Sequence, residues 1–240
     1  PSSVSLAYLR VASAFRPGGL DPSNMETRRY DADQLVAFEA GFRQNSINGR
    51  LQFELGAFSS LWSDVQSDYL LDTGLVATRN AGDARILGGE LTVRWRPTAA
   101  WSFVAGASGQ RARLIRGIDG ADLERDPRLP VVPGVSGHFE VRHSINASSW
   151  QVSPTVTGRY VGRSRLSLDP GLDRRMGGFA EFAAGLEVRR GPFAVELSAT
   201  NIFNARGDTL AFGNPFSVRT ERQYTPARPR AFAISLSRDF

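Results

Sequence analysis

Along most of this chain apolar and polar residues alternate one by one, in blocks of about ten residues. The clearest block is 84–96. Leu87, Gly89, Leu91, Val93 and Trp95 share one side, and Gly88, Glu90, Thr92, Arg94 and Arg96 share the other. Residues two apart point the same way only in extended backbone, so the period predicts strands with one apolar and one polar face. Wound into helices, the same residues would scatter around the whole circumference. Ten such segments can be read, at about 4–16, 35–44, 50–63, 84–96, 101–113, 135–145, 150–163, 178–189, 193–203 and 230–240. In 178–189 the apolar side is Phe182, Ala184, Leu186 and Val188; in 193–203 it is Phe193, Val195, Leu197 and Ala199.

The connections alternate too. Asn45–Gly49, Pro97–Ala100, Asn146–Ser149 and Arg190–Pro192 are short and rich in turn formers. Between them run long polar stretches, 64–83, 114–134, 164–177 and 204–229. An antiparallel meander puts its short turns at one end and its long loops at the other, the layout of transmembrane barrels. A soluble sandwich has no reason to alternate its loop lengths. The polar side carries Arg10, Glu39, Arg43, Glu54, Glu90, Arg94, Glu140, Arg142, Glu187 and Glu196. A wide, water-filled lumen tolerates such charges, whereas the packed interior of a small barrel does not. Trp95, Trp101, Trp150, Tyr160 and Phe193 fall near strand ends on the apolar side, as in the interfacial belts of a bilayer. They fit the core of a soluble β protein as well, and pattern alone leaves both readings open.

Composition narrows the field. The 240 residues suffice for one large β domain or two small ones, and no apolar run approaches the roughly 18 residues of a membrane helix. With 24 glycines and 13 prolines, turns between strands are favoured over helices; with no cysteine, disulfides and thiolate metal sites are excluded. The net charge is +5 and every basic side chain is arginine, but the arginines form no basic run, so nucleic acid is not an expected partner. The sequence begins at Pro1 without a signal-peptide pattern and reads as a piece of something longer or a processed product.

Catalytic chemistry finds little support. His138 and His143 are an odd number of residues apart on one strand and point to opposite faces. Asp31/Asp33 and Asp122/Glu124/Asp126 lie in loops, where solvated charge is the expected role. Gly-x-Ser-x-Gly and phosphate-loop motifs are absent from the sequence. No catalytic residue, metal ligand or cofactor is therefore expected.

Several stretches resemble one family. YLRVASAFRPGG (8–19), FEAGFR (38–43), LQFELGAFSSLWSDVQS (51–67), NAGDARILGGELTVRWRP (80–97), DPRLPVVPG (126–134) and LSATNIFNA (197–205) are similar, in order and spacing, to barrel motifs of TonB-dependent outer-membrane receptors. In LSATNIFNA the resemblance takes 197–205 as the penultimate strand, with Ile202 and Asn204 where the family has Leu and Asp.

The resemblance implies an all-β fold, an antiparallel transmembrane β-barrel meander of about ten strands, forming the C-terminal portion of a 22-stranded barrel over 1–240. The plug domain and TonB box have no counterpart here. A smaller self-contained barrel (a pore or barrel enzyme) and a soluble β-sandwich binding protein are the alternatives; the charged inner face argues for the wide barrel. The resemblance further implies a Gram-negative outer-membrane receptor that takes up a scarce ligand, such as a ferric siderophore, with energy from TonB. Its partners would be outer-membrane lipid and lipopolysaccharide, TonB and the barrel-assembly machinery. Loop residues Arg28, Arg29, Tyr30, Trp62, Tyr69, Arg174 and Arg175 are the candidate ligand contacts, since arginine forks suit anions. Phe232, Ile234, Leu236 and Phe240 are the expected assembly signal on the closing strand. Arg238 departs from the family's aromatic at that position, and a cation there is expected to snorkel to the interface.

Overall fold

In the computed structural model of the chain, described over residues 4–21, 29–46, 48–117, 126–209, 217, 220, 221, 223 and 225–239, ten long strands build one antiparallel sheet. They are β1 Val4–Arg16, β2 Asp33–Asn45, β3 Leu51–Ser63, β4 Gly82–Trp95, β5 Trp101–Gly117, β6 Val135–His143, β7 Trp150–Val161, β8 Phe179–Arg190, β9 Phe193–Thr200 and β10 Ala231–Arg238. Each pairs with its neighbours in chain order, and the short strand Ile145–Ala147 adds to β7. Among the described residues β1 and β10 each pair on one side only, so the sheet is a wall with two open edges. All its short turns lie at one end and its long loops at the other, as the alternation of connections predicts.

Register makes each face continuous across the wall. Leu91 lies opposite both Leu55 and Ala107, and Val188 opposite both Val152 and Val195. The apolar face is not covered: Leu9, Val11, Phe38, Leu55, Leu91, Val156, Leu197 and Ile234 are all exposed. An apolar band this large needs an apolar surrounding. Phe232, Ile234 and Leu236 of β10 belong to it, while Phe240 lies outside the described residues.

The apolar face ends in aromatic rings at the short-turn end. Trp95 and Trp101 flank Phe103 at 5.2 and 5.5 Å, His143 stacks on Trp101 at 4.1 Å, and Phe42 meets Phe53 at 5.8 Å. Two arginines close the belt, Arg190 over Trp150 at 4.9 Å and Arg238 over Phe193 at 5.4 Å. Arg238, the odd residue of the last strand, is thus held by a cation–π contact at the belt.

The opposite face is polar, and several of its charges pair across strands. Arg10–Glu39 (3.8 Å), Arg43–Glu54 (3.3 Å) and Arg159–Glu181 (2.5 Å) are ion pairs between directly opposed residues. The Tyr8 ring covers its cross-strand partner Gly41, where a Cβ would come within 2.3 Å of the ring, and its hydroxyl donates to Glu39 at 2.6 Å. A side chain at position 41 would displace that ring from the pair.

Strand ends depart from expectation in three places. β5 runs to Gly117, past the expected end at 113, because the backbone beyond Gly109 finds a new partner in the loop that follows: Leu114 donates to Pro127 O and Leu129 to Ala112 O. β9 stops at Thr200, so 201–205 is a turn and not the end of the penultimate strand. Asn201 and Asn204 take positive φ there, and the buried Asn201 amide accepts from Ala205 N and donates to Ala205 O and Arg228 O. The stretch 64–83 contains an ordered hairpin, Gln66–Leu70 with Val76–Asn80, where a polar loop was expected.

Candidate functional site

At the loop end the polar face turns apolar. Trp62, Ala84, Ile86, Ala112 and Leu114 point inward from β3, β4 and β5, and Val65, Leu129, Val132 and Leu168 close over them as a small core. The loops are pinned to one another by polar contacts. Val131 donates to Arg165 O at 2.7 Å, and Arg165 reaches Asp126 O at 2.5 Å and the Asp173 carboxylate at 2.9 Å. Asp169 accepts from Leu70 N at 2.5 Å, beside the buried pair Leu70 and Leu172. The hairpin after β3 and the loop after β7 therefore form one packed unit.

A recess of about 360 Å³ opens beside this core, within the size range of small-molecule sites. Arg16, Tyr30 and Trp62 form one wall, Gln66–Asp68 and Thr78 a second, and Leu129–Val132 with Leu166–Leu168 the apolar third. Its corner is an ion pair. Asp33, almost wholly buried, accepts from the backbone N of Arg16 at 3.1 Å, from Nε at 2.8 Å and also from the terminal guanidinium nitrogen. The same guanidinium lies 5.3 Å from the centre of the Trp62 ring. Gln66 ties the corner shut, donating to Pro17 O at 3.0 Å and Asp31 O at 3.1 Å.

Of the seven predicted contacts, the structure brings Tyr30 and Trp62 together in the recess. Tyr69 stands outside its lining; its hydroxyl donates to Asp21 at 2.8 Å and Arg79 stacks on its ring at 4.5 Å. Arg174 donates to Asp173 O at 2.7 Å, and Arg175 is exposed in the two-residue strand Arg175–Met176. Arg29 is exposed, next to the recess residue Tyr30, and Arg28 lies outside the described residues. Sequence reasoning missed Arg16, Gln66 and the apolar run Leu129–Val132. The signal was present, because Arg16 and Leu129–Val132 fall within FRPGG and LPVVPG, two of the motifs that carry the resemblance.

Two of the loop carboxylates are not the solvated charges expected. Asp33 is buried in the ion pair with Arg16 because β2 starts at that residue and turns it inward. Asp126 binds Arg128 through both oxygens, at 2.9 and 2.6 Å; Asp122 and Glu124 lie outside the described residues. The hydrogen bonds from Arg128 hold the Asp126 carboxyl at about 2, well below the usual carboxylate range. A carboxyl whose folded pKa is depressed stabilises the fold above its unfolded pKa, and that contribution is lost as pH falls from about 4 to about 2. The protection of the 126–132 backbone amides against exchange, taken relative to their intrinsic rates at each pH, is therefore expected to fall over that interval. With Asp126→Asn, the loop should lose this pH step.

Comparison with known proteins gives one answer. The profile of the family described as TonB dependent receptor-like, beta-barrel, matches residues 2–205. Among solved structures, the ferric yersiniabactin uptake receptor FyuA of Yersinia pestis is 21% identical with a TM-score of 0.76, covering 98% of this chain and 35% of its own. The ferric-catecholate import receptor Fiu of E. coli K12 is 19% identical, TM-score 0.74, covering 98% and 33%. The copper transporter OprC is 17% identical, TM-score 0.71, covering 98% and 37%. The chain thus spans about a third of the length of each of these structures.

Proposed function

Because the chain belongs to the TonB-dependent receptor β-barrel family, we propose that it is the C-terminal barrel wall of an outer-membrane receptor that imports a metal chelate with energy from TonB. The apolar face meets lipid and the paired charges of the polar face line the lumen. Plug and TonB contact are supplied by sequence outside these residues, and the remaining strands close the barrel between β1 and β10. Phe232, Ile234, Leu236 and Phe240 are the signal read by the assembly machinery.

The observation that carries the reading is the recess at the loop end of the lumenal face, with aromatic, arginine and apolar walls at the point where a ligand arrives. Its arginine is already paired with Asp33, so attraction to bulk negative charge is not its main resource. Tyr30, Trp62 and the Leu129–Val132 wall favour a chelate with planar aromatic groups that stack and bury, and a ferric catecholate or phenolate fits that chemistry best. Fiu and FyuA, whose described cargoes are ferric-catecholate and ferric yersiniabactin, support that direction; OprC, a copper transporter, supplies the competing cargo.

The test uses the full-length protein. Binding of a ferric catecholate, a ferric hydroxamate and copper(II) is measured on the purified receptor, and uptake on cells with and without TonB. The ferric catecholate is expected to bind, to enter only with TonB, and to bind about tenfold more weakly to Trp62→Ala, from the loss of one buried aromatic contact. Binding of none of the three, or equal catecholate binding by Trp62→Ala, would overturn the reading.

A further inference from the structure

The apolar face has a different finish at each end. Toward the short turns it closes in aromatic rings; toward the loops, Phe15, Tyr160 and Phe232 end it on β1, β7 and β10, whereas on β4 and β5 it closes in three arginines. Arg85 of β4 lies directly opposite Arg113 of β5, and Arg111 sits two residues along on the same face, opposite Leu87. All three are exposed, with Leu61 opposite Arg85 on the other side. Like charges directly opposed across a ladder repel, and these three have no carboxylate partner among the described residues. Most other arginines of the wall are engaged, Arg94 of β4 being an exception, and Arg190 and Arg238 sit over aromatic rings. Arg10, Arg43, Arg159 and Arg189 on the polar face, and Arg16 and Arg116 near the loops, each pair with an acid. Arg128, whose backbone bridges to Arg113, is likewise occupied by Asp126.

Depth along the barrel says what meets the cluster. Arg85 is ten residues from Trp95 on β4, and Arg111 ten from Trp101 on β5. At about 3.4 Å per residue and a tilt of about 35–45°, that is roughly 24–28 Å along the barrel axis, the height of an outer apolar band. With the tryptophans at one interface, the three guanidiniums stand at the other, at headgroup level on the loop side. Guanidinium forks bind phosphate oxygens bidentately, and a phosphate between Arg85, Arg111 and Arg113 turns their mutual repulsion into attraction.

We propose that Arg85, Arg111 and Arg113 form a binding site for the phosphate groups of an outer-leaflet glycolipid, on the lipid-facing side of the wall. The site is separate from the lumenal recess and rests on the membrane orientation given above. It is tested on the full-length receptor in phosphatidylcholine nanodiscs, with diphosphorylated lipid A, fully dephosphorylated lipid A and inorganic phosphate as probes, each measured by native mass spectrometry. Wild type is expected to hold diphosphorylated lipid A at least about tenfold more tightly than the dephosphorylated form. Arg85→Gln/Arg111→Gln/Arg113→Gln is expected to lose that preference, while the wild-type heat-modifiable gel shift shows that the barrel is folded. Should the triple variant not fold, the preference of wild type for the phosphorylated lipid and the single variant Arg111→Gln decide. Equal binding of the two lipid A forms, an unchanged preference in the folded variants, or displacement of lipid A by millimolar inorganic phosphate would overturn the proposal. Failure of wild type to enter nanodiscs at all would contradict the membrane orientation itself, and the lipid site with it.

Discussion

Leu91→Arg is expected to destabilise the folded barrel by ~2–4 kcal/mol, and Thr92→Arg, one residue along, by less than about 1 kcal/mol. Leu91 sits midway along β4 on the apolar face, between Leu55 and Ala107, and is exposed in the chain by itself. In a bilayer its surroundings are acyl chains, where a guanidinium must drag water inward or snorkel a long way. Thr92 points to the polar face, where Glu54 lies opposite and offers a new arginine a carboxylate. Reversible unfolding of the full-length protein in liposomes measures both. If the face met water, the two substitutions would cost about the same, because a surface arginine is nearly neutral wherever it is placed.

The second large effect is expected from Arg16→Leu. Asp33 keeps only 3% of its side chain exposed, and Arg16 supplies its charge partner. Removing the guanidinium leaves a carboxylate out of water with neutral donors, the backbone N–H groups of residue 16 and Gln66 and the Trp62 indole. Breaking a fully buried pair costs about 3–5 kcal/mol; because the Arg16 side chain is half in water, about 2–3 kcal/mol is expected here. The damage should be local, since Asp33 holds the start of β2, the end of β1 and the hairpin at Gln66. Protease cleavage in 64–83 should accelerate in Arg16→Leu, and Arg16→Leu/Asp33→Leu should recover much of the loss. Unaltered cleavage in the single variant would mean that the ion pair does not hold the loops.

The wall was legible because a strand between lipid and water must alternate strictly. Every second residue of 84–96 reports a solvent, and a one-residue slip would send Glu90 into lipid. β5 was read four residues short for an equally physical reason. Arg111 and Arg113 interrupt its apolar row, and the buried Ala112 and Leu114 fall on the face that elsewhere is polar. The Gln66–Leu70 hairpin strand was missed because QSDYL shows no alternation; its order comes from Leu172, Asp169 and Asp33, residues far away in sequence. The recess was half legible. Trp62 and Tyr30 stood out as aromatics in polar loops, whereas Arg16 gains its role only from an acid 17 residues away on the neighbouring strand. Tyr69 and Arg174 looked equally free in the sequence, yet both engage neighbouring loop residues.

Which solvent each face of the wall meets decides whether the strands span a membrane. With no cysteine in the chain, single cysteines can be placed one at a time at 87–93 and spin-labelled in the full-length protein in membranes. Period-two alternation is expected: oxygen dissolved in the bilayer relaxes labels at 87, 89, 91 and 93, and a water-soluble nickel chelate relaxes those at 88, 90 and 92. Equal accessibility of the seven labels to the nickel chelate would contradict it.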